Sequence, residues 1–178
     1  MYKLGTYVSY RSEGVCVITE IRHQKFGTLN ELKDFYILSP INDLNSTLFV
    51  PTDNEMLVGK MRLLCSASDV NLLAKDLFDK RLDWIELPRP RNNYFKELLS
   101  DGKRDNLILL IHTVCDMEIK LMQNGKHVTQ SDLTAVARAK KMLVDEFSVT
   151  TDITTEQKLM DVLTCKEKCR DKETYMTK

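Results

Sequence analysis

Two different periods of hydrophobic and polar residues divide this chain near residue 64. Before that point apolar and β-branched residues come in short runs broken by turn residues: TYVSY over 6–10, GVCVITEI over 14–21, DFYIL over 34–38 and STLFVP over 46–51. In the second run Val15, Val17 and Thr19 alternate with Cys16, Ile18 and Glu20, the period of a strand whose faces meet different surroundings. Four or five such strands within about 60 residues predict a small, strongly bent β barrel.

Beyond residue 64 the period becomes helical. In DNLILLIHTVCDMEIKLMQNG, residues 105–125, Leu107, Leu110, Ile111, Val114, Leu121 and Met122 fall on one helical face, and Asn124-Gly125 predicts a left-handed stop. A second helix opens at Thr129 or Ser131, with Leu133, Val136, Ala137, Leu143, Val144 and Phe147 on one face. A third starts at Thr154, where Gln157 completes a capping-box pattern, and carries Leu159, Val162 and Leu163. Shorter helices are expected over 69–78 and 92–101, the latter ended by Gly102. Between these two shorter helices lies DWIELPRPR, residues 83–91, whose two prolines push Leu87 and Arg89 toward extended geometry. It reads as a connector that presents side chains. The fold class is thus α+β in two domains: a small β barrel over 1–64 and an all-α bundle over 65–165. The tail KEKCRDKETYMTK, 166–178, is expected not to pack.

Composition adds constraints. Lys plus Arg equals Asp plus Glu at 26 each, so no overall field draws the chain to nucleic acid or to an anionic membrane, and any such contact must be local. No apolar run approaches the roughly 18–20 residues of a membrane span, and MYKLGTYVSY lacks the regions of a signal peptide. Five scattered cysteines (16, 65, 115, 165, 169) indicate free thiols in a reducing cytoplasm, which makes the sequon Asn45-Ser46-Thr47 a chance match.

Candidate chemistry is sparse. His23, His112 and His127 have no nucleophile or carboxylate at motif spacing, and His112, inside an apolar helix face, is expected to be a satisfied structural histidine. Cys165 and Cys169 could share a helical face as ligands, but no nearby residue completes a tetrahedral set. No phosphate loop or hydrolase signature is present. No catalysis, metal or cofactor is expected. The remaining signal is basic: seven cationic residues against four acidic ones between Lys80 and Arg104, and a second group, Arg138, Lys140 and Lys141, in AVARAKKML. Such a group is usually a helix's solvated face, and a lone Trp84 is more often core than contact. On a shared face, however, the two groups could grip duplex phosphates, and an apolar wedge beside arginines is one way to open the minor groove.

The succession of G-T-Y-V-S-Y, E-G-V-C-V-I-T-E-I, F-Y-I-L, T-L-F-V-P-T, Y-F-K-E-L-L-S-D-G and A-R-A-K-K-M-L-V-D-E-F resembles the CarD family of bacterial transcription regulators over roughly residues 3–165. The resemblance implies an N-terminal Tudor-like domain, shared with the transcription-repair coupling factor, that docks on the β subunit of RNA polymerase. It also implies a helical domain touching promoter DNA at the upstream edge of the bubble, with a tryptophan wedged into the minor groove and Lys and Arg on phosphates, shifting polymerase toward the open complex. Glu20, Arg22 and His23 on one strand and Thr47, Leu48 and Phe49 on another then correspond to the polymerase-facing strands. Phe49 stands where some relatives have arginine, so apolar contact replaces an ion pair there. Arg138 and Lys140 fall on basic positions of the family's DNA-facing helix, and Lys141, Arg89, Arg91 and Lys96 join them as DNA-contacting candidates. Trp84 lies a few residues before the wedge position, which Pro88 approaches instead. Either the connector is rebuilt so that Trp84 reaches the groove from a different root, or Trp84 packs between the domains. The rival functions are an adaptor that binds polymerase or another protein without DNA, and an enzyme with a non-motif site. A monomer is expected.

Overall fold

The computed structural model describes residues 1–26, 31–43 and 45–164, and it divides into two compact units, Met1–Leu64 and Cys65–Lys178. The Cys165 and Cys169 pair and the tail lie outside the described residues.

The first unit is an antiparallel sheet of β1 (Tyr7–Tyr10), β2 (Val15–Phe26), β3 (Glu31–Pro40), β4 (Leu48–Pro51) and β5 (Met61–Leu63), in the order β4-β3-β2-β1-β5. One face carries Val8, Tyr10, Cys16, Ile18, Tyr36, Leu38, Val50 and Met61 into a small core, covered by Tyr2 and by Leu57 and Val58 of the short helix α1 (Glu55–Val58). Burying each such large apolar side chain contributes about 1.5–3 kcal/mol. Tyr2 is fixed by donating its hydroxyl to Met61 O at 2.6 Å and by an edge-to-face contact with Tyr36. Among the described residues no ladder joins β4 to β5, so both are end strands. One detail departs from strict alternation. A register shift between Ile18 and Glu20 inserts a bulge in β2, and Glu20 pairs with Ile37 on the face opposite the core rather than following Cys16 and Ile18.

The second unit packs α2 (Ala67–Leu77), α3 (Pro88–Asp101), α4 (Arg104–Met122), α5 (Gln130–Phe147) and α6 (Glu156–Thr164) around one apolar cluster that includes Phe95, Leu107, Ile111, Ala139, Leu143, Phe147 and Leu159. Ser66 caps α2 and Thr129 caps α5, each in a reciprocal capping box with the aspartate three residues on. Gly102 ends α3 in the left-handed region at φ 67°.

Two sequence expectations change here. α3 begins at Pro88, so Arg89 is helical. Pro88 and Pro90 occupy the first turn, where backbone N–H groups have no helical partner to lose. On α5, Leu133 and Ala137 are exposed, and Ala135, Val136, Ala139, Leu143 and Phe147 point inward together with the buried acids Asp132 and Glu146. The apolar stripe is rotated because each acid has an arginine partner, Arg91 for Asp132 and Arg104 for Glu146.

Candidate functional site

The expected polymerase-facing residues divide between the two faces of the sheet. Because directly paired residues of antiparallel strands share a face, Glu20, Ile37 and Phe49 stand in one row across β2, β3 and β4, and Arg22, Phe35 and Pro51 in the next. Phe35 and Ile37 form a buried floor, and Phe49, 44% exposed, meets Phe35 edge to face with ring centroids 6.3 Å apart. Arg22 donates twice to Glu20, Nε to Oε1 at 2.9 Å and Nη2 to Oε2. Those hydrogen bonds hold the Glu20 carboxyl below the usual carboxylate range. The bulge after Ile18 is what brings Glu20 onto this face, two residues from Arg22. Leu48 pairs with Leu38 and packs on the core side, so it does not join the patch. His23 lies opposite Asp34, its Nδ1 2.6 Å from Asp34 Oδ1, on the other side of the ribbon. Thr47 is exposed just before β4.

In the helical unit the connector is ordered by one arginine. The Arg91 guanidinium, 3% exposed, makes a bidentate pair with Asp132 at 2.9 and 2.8 Å and donates through Nη1 to the carbonyls of Ile85 and Glu86. It also lies 4.1 Å from the centre of the Trp84 ring. Burial works against the Asp132 charge, yet hydrogen bonds from Arg91 and Thr129 outweigh it and hold the carboxyl below its ordinary value. The structure therefore removes Arg91 from the side chains able to reach a phosphate: its donors already face inward. Trp84 is half-buried against the cluster of its own unit. The fully outward apolar side chain at the start of α3 is Leu87, 67% exposed and followed by Pro88 and Arg89.

Arg89, Lys96, Arg138 and Lys141 are exposed, and among the described residues none of them makes an ion pair. Arg138 and Lys141 line an open groove of about 560 Å³ whose opposite wall is Thr154, Thr155 and Glu156 at the start of α6. Ala137 and Val144 add apolar surface. Lys140 points elsewhere, near enough to Cys115 on α4 to oppose the rise that burial gives its thiol pKa. The three basic residues of α5 thus do not form a single patch. The lining thus combines two cations, three threonine hydroxyls and the carboxylate of Glu156.

Among the described residues no cluster of three or more His, Cys, Asp or Glu could hold a metal, and no helix is long and apolar enough to cross a membrane. Residues 2–64 match the family model of the CarD-like/TRCF RID domain. No curated protein matches the chain.

Proposed function

We propose that this chain, whose β unit is a CarD-like/TRCF RID domain and so ties it to RNA polymerase and transcription, binds the polymerase β subunit and contacts promoter DNA with its helical unit. On this reading it stabilises the open complex at the upstream edge of the bubble. The observation that supports it most is the face on which the domain gathers Phe49, Glu20 and Arg22 beside the outer edge of β4. An end strand offers unpaired backbone groups to an added strand, and an exposed aromatic beside it supplies the apolar contact that gives such pairing its specificity.

The helical unit fits the second half of the proposal through Arg89, Lys96, Arg138 and Lys141. With a net charge of zero the free chain is expected to bind DNA weakly. Docking on polymerase makes the DNA contact intramolecular, at an effective concentration on the order of millimolar. Only contacts stronger in the open than in the closed complex shift that equilibrium, and a tenfold shift requires about 1.4 kcal/mol of difference. Leu87 is the apolar side chain free to enter a widened groove, whereas Trp84 is engaged with Arg91.

The test is retention of RNA polymerase by the full-length chain, compared with Phe49→Asp, followed by open-complex lifetimes with Leu87→Ala and Arg138→Ala. Lost retention with Phe49→Asp and shortened lifetimes with the other two support the reading. Retention by Phe49→Asp removes that face from docking. The balanced charge favours one second reading, an adaptor whose helical unit binds a protein. Unchanged lifetimes with both helical variants would move it ahead.

A further inference from the structure

His112 is buried in the middle of α4, 6% exposed, and neither ring nitrogen has a hydrogen-bond partner among the described residues. This differs from the satisfied histidine that the sequence suggested. The ring sits where α4 meets the C-terminal ends of α2 and α6: the carbonyls of Leu77 and Leu163 come close enough to favour its protonation without reaching hydrogen-bonding geometry. The charges acting on it are Arg81, from the segment after α2, and Asp116, one turn along α4, which pair with each other at 2.6 Å. From α5 the nearby cation is Lys140, whose charge falls on Cys115. Burial dominates, Arg81 adds to it, and the neutral ring is favoured. An unpaired buried polar group is costly, and a charged one more so.

We propose that His112 is a proton-sensitive latch for α6: taking up one proton at its ring loosens α6 from α2 and α4. α6 has two fully buried anchors, Leu159 and Leu163, the second beside His112. Its opposite end, with Thr155 and Glu156, is the far wall of the groove that holds Arg138 and Lys141. Loosening α6 dismantles that wall, so acidification weakens the DNA contact without touching either cation. This consequence rests on the groove's assignment above, whereas the latch itself does not.

The sign follows from linkage. A histidine whose pKa is lowered in the native state contributes stability that is complete above its unfolded value, about 6.5, and is lost as pH falls below it. Between that value and the native one, each opening of α6 takes up one proton, so the opening equilibrium grows about tenfold per pH unit.

The experiment is amide hydrogen exchange on the full-length chain from pH 7.5 to 5.5, read as protection factors, with a parallel NMR titration of the His112 ring. Protection at Leu159 and Leu163 falling about tenfold per unit below pH 6.5 while the native ring stays neutral supports the latch, as does a flat profile in His112→Phe. If His112→Phe does not fold, the wild-type ring titration decides. A native ring that protonates near pH 6.5 with α6 protection unchanged overturns the latch, and so does the same slope in His112→Phe. DNA contact at pH 7.5 in Arg138→Ala and Lys141→Ala separately tests the groove. Its failure would leave the exchange result standing.

Discussion

At the scale of single residues, the consequential side chain is Arg91. Its guanidinium joins the connector, α3 and α5 by satisfying Asp132, two connector carbonyls and one face of Trp84. Arg91→Ala would strand a buried carboxylate and cost about 3–5 kcal/mol, measurable by urea denaturation at pH 7. The pH dependence should also reverse. In the wild type the Asp132 carboxyl is held below its unfolded value near 3.9, so its contribution is present above that pH and is lost as pH falls through the native value. In Arg91→Ala only desolvation and the capping hydrogen bonds remain, and the deficit relative to wild type should shrink as Asp132 protonates in acid. A constant deficit between pH 7 and pH 3 would mean that the pair does not set the stability of this junction. Cys16 allows a simpler check. Burial in the sheet core, aided by Glu13, pushes its thiol up to about 12. Alkylation of the native chain at pH 8 should therefore leave Cys16 unmodified, as judged by peptide mass, because the thiolate is the reactive form.

At the scale of elements, helix ends carry predictions of their own. Thr129 Oγ1 accepts the Asp132 N–H, and Thr129 donates its own N–H and hydroxyl to Asp132 Oδ2, so Thr129→Ala should cost about 1 kcal/mol in stability and loosen the same acid that Arg91 holds. Gly102→Ala should cost about 1–2 kcal/mol, since its φ of 67° opposes a side chain. The elements themselves were readable in the sequence: the alternation around Cys16 and Ile18 and the spacing of Leu107, Leu110, Ile111 and Val114 follow from burial, although Val15 on the other face of β2 and Ile108, His112 and Thr113 of α4 are buried as well. What could not be read depended on partners distant in sequence. Nothing local reveals that Asp132 and Glu146 turn inward, because their arginines lie about 40 residues away by sequence. The bulge that moves Glu20 onto the face of Phe49 is set by pairing with β3, not by the composition of β2. The start of α3 was misread for a local reason. Pro90 biases Arg89 toward extended geometry, yet in a first turn that preference yields to helix packing. The candidate site was accordingly half legible: that Arg22 and Phe49 stand on strands followed from the local pattern, but the inward turn of Arg91 and the exposure of Leu87 depend on which donors the fold occupies.

At the scale of the whole molecule, a zero net charge and a handful of cations without an ion pair among the described residues make a quantitative statement about DNA. Each phosphate neutralised releases condensed counterions, giving a slope of about −0.9 per contact in the dependence of log affinity on log salt for duplex DNA. If Arg89, Lys96, Arg138 and Lys141 all reach phosphates, the chain's own contribution should not exceed a slope of roughly −3.6. Such a term is too small to support binding alone at physiological ionic strength, and on the proposed reading it would become visible once docking on polymerase made the DNA contact intramolecular. The measurement compares open-complex lifetimes across a salt series with wild type and with Arg138→Ala plus Lys141→Ala. The double variant should flatten the wild-type increment in slope by about 1.8, whereas Arg91→Lys, if folded, should leave the slope unchanged because that guanidinium faces Asp132. A double variant with the wild-type slope would place the groove of α5 and α6 away from DNA. An equal loss from Phe49→Asp at every salt concentration would then assign the effect on polymerase to the sheet alone.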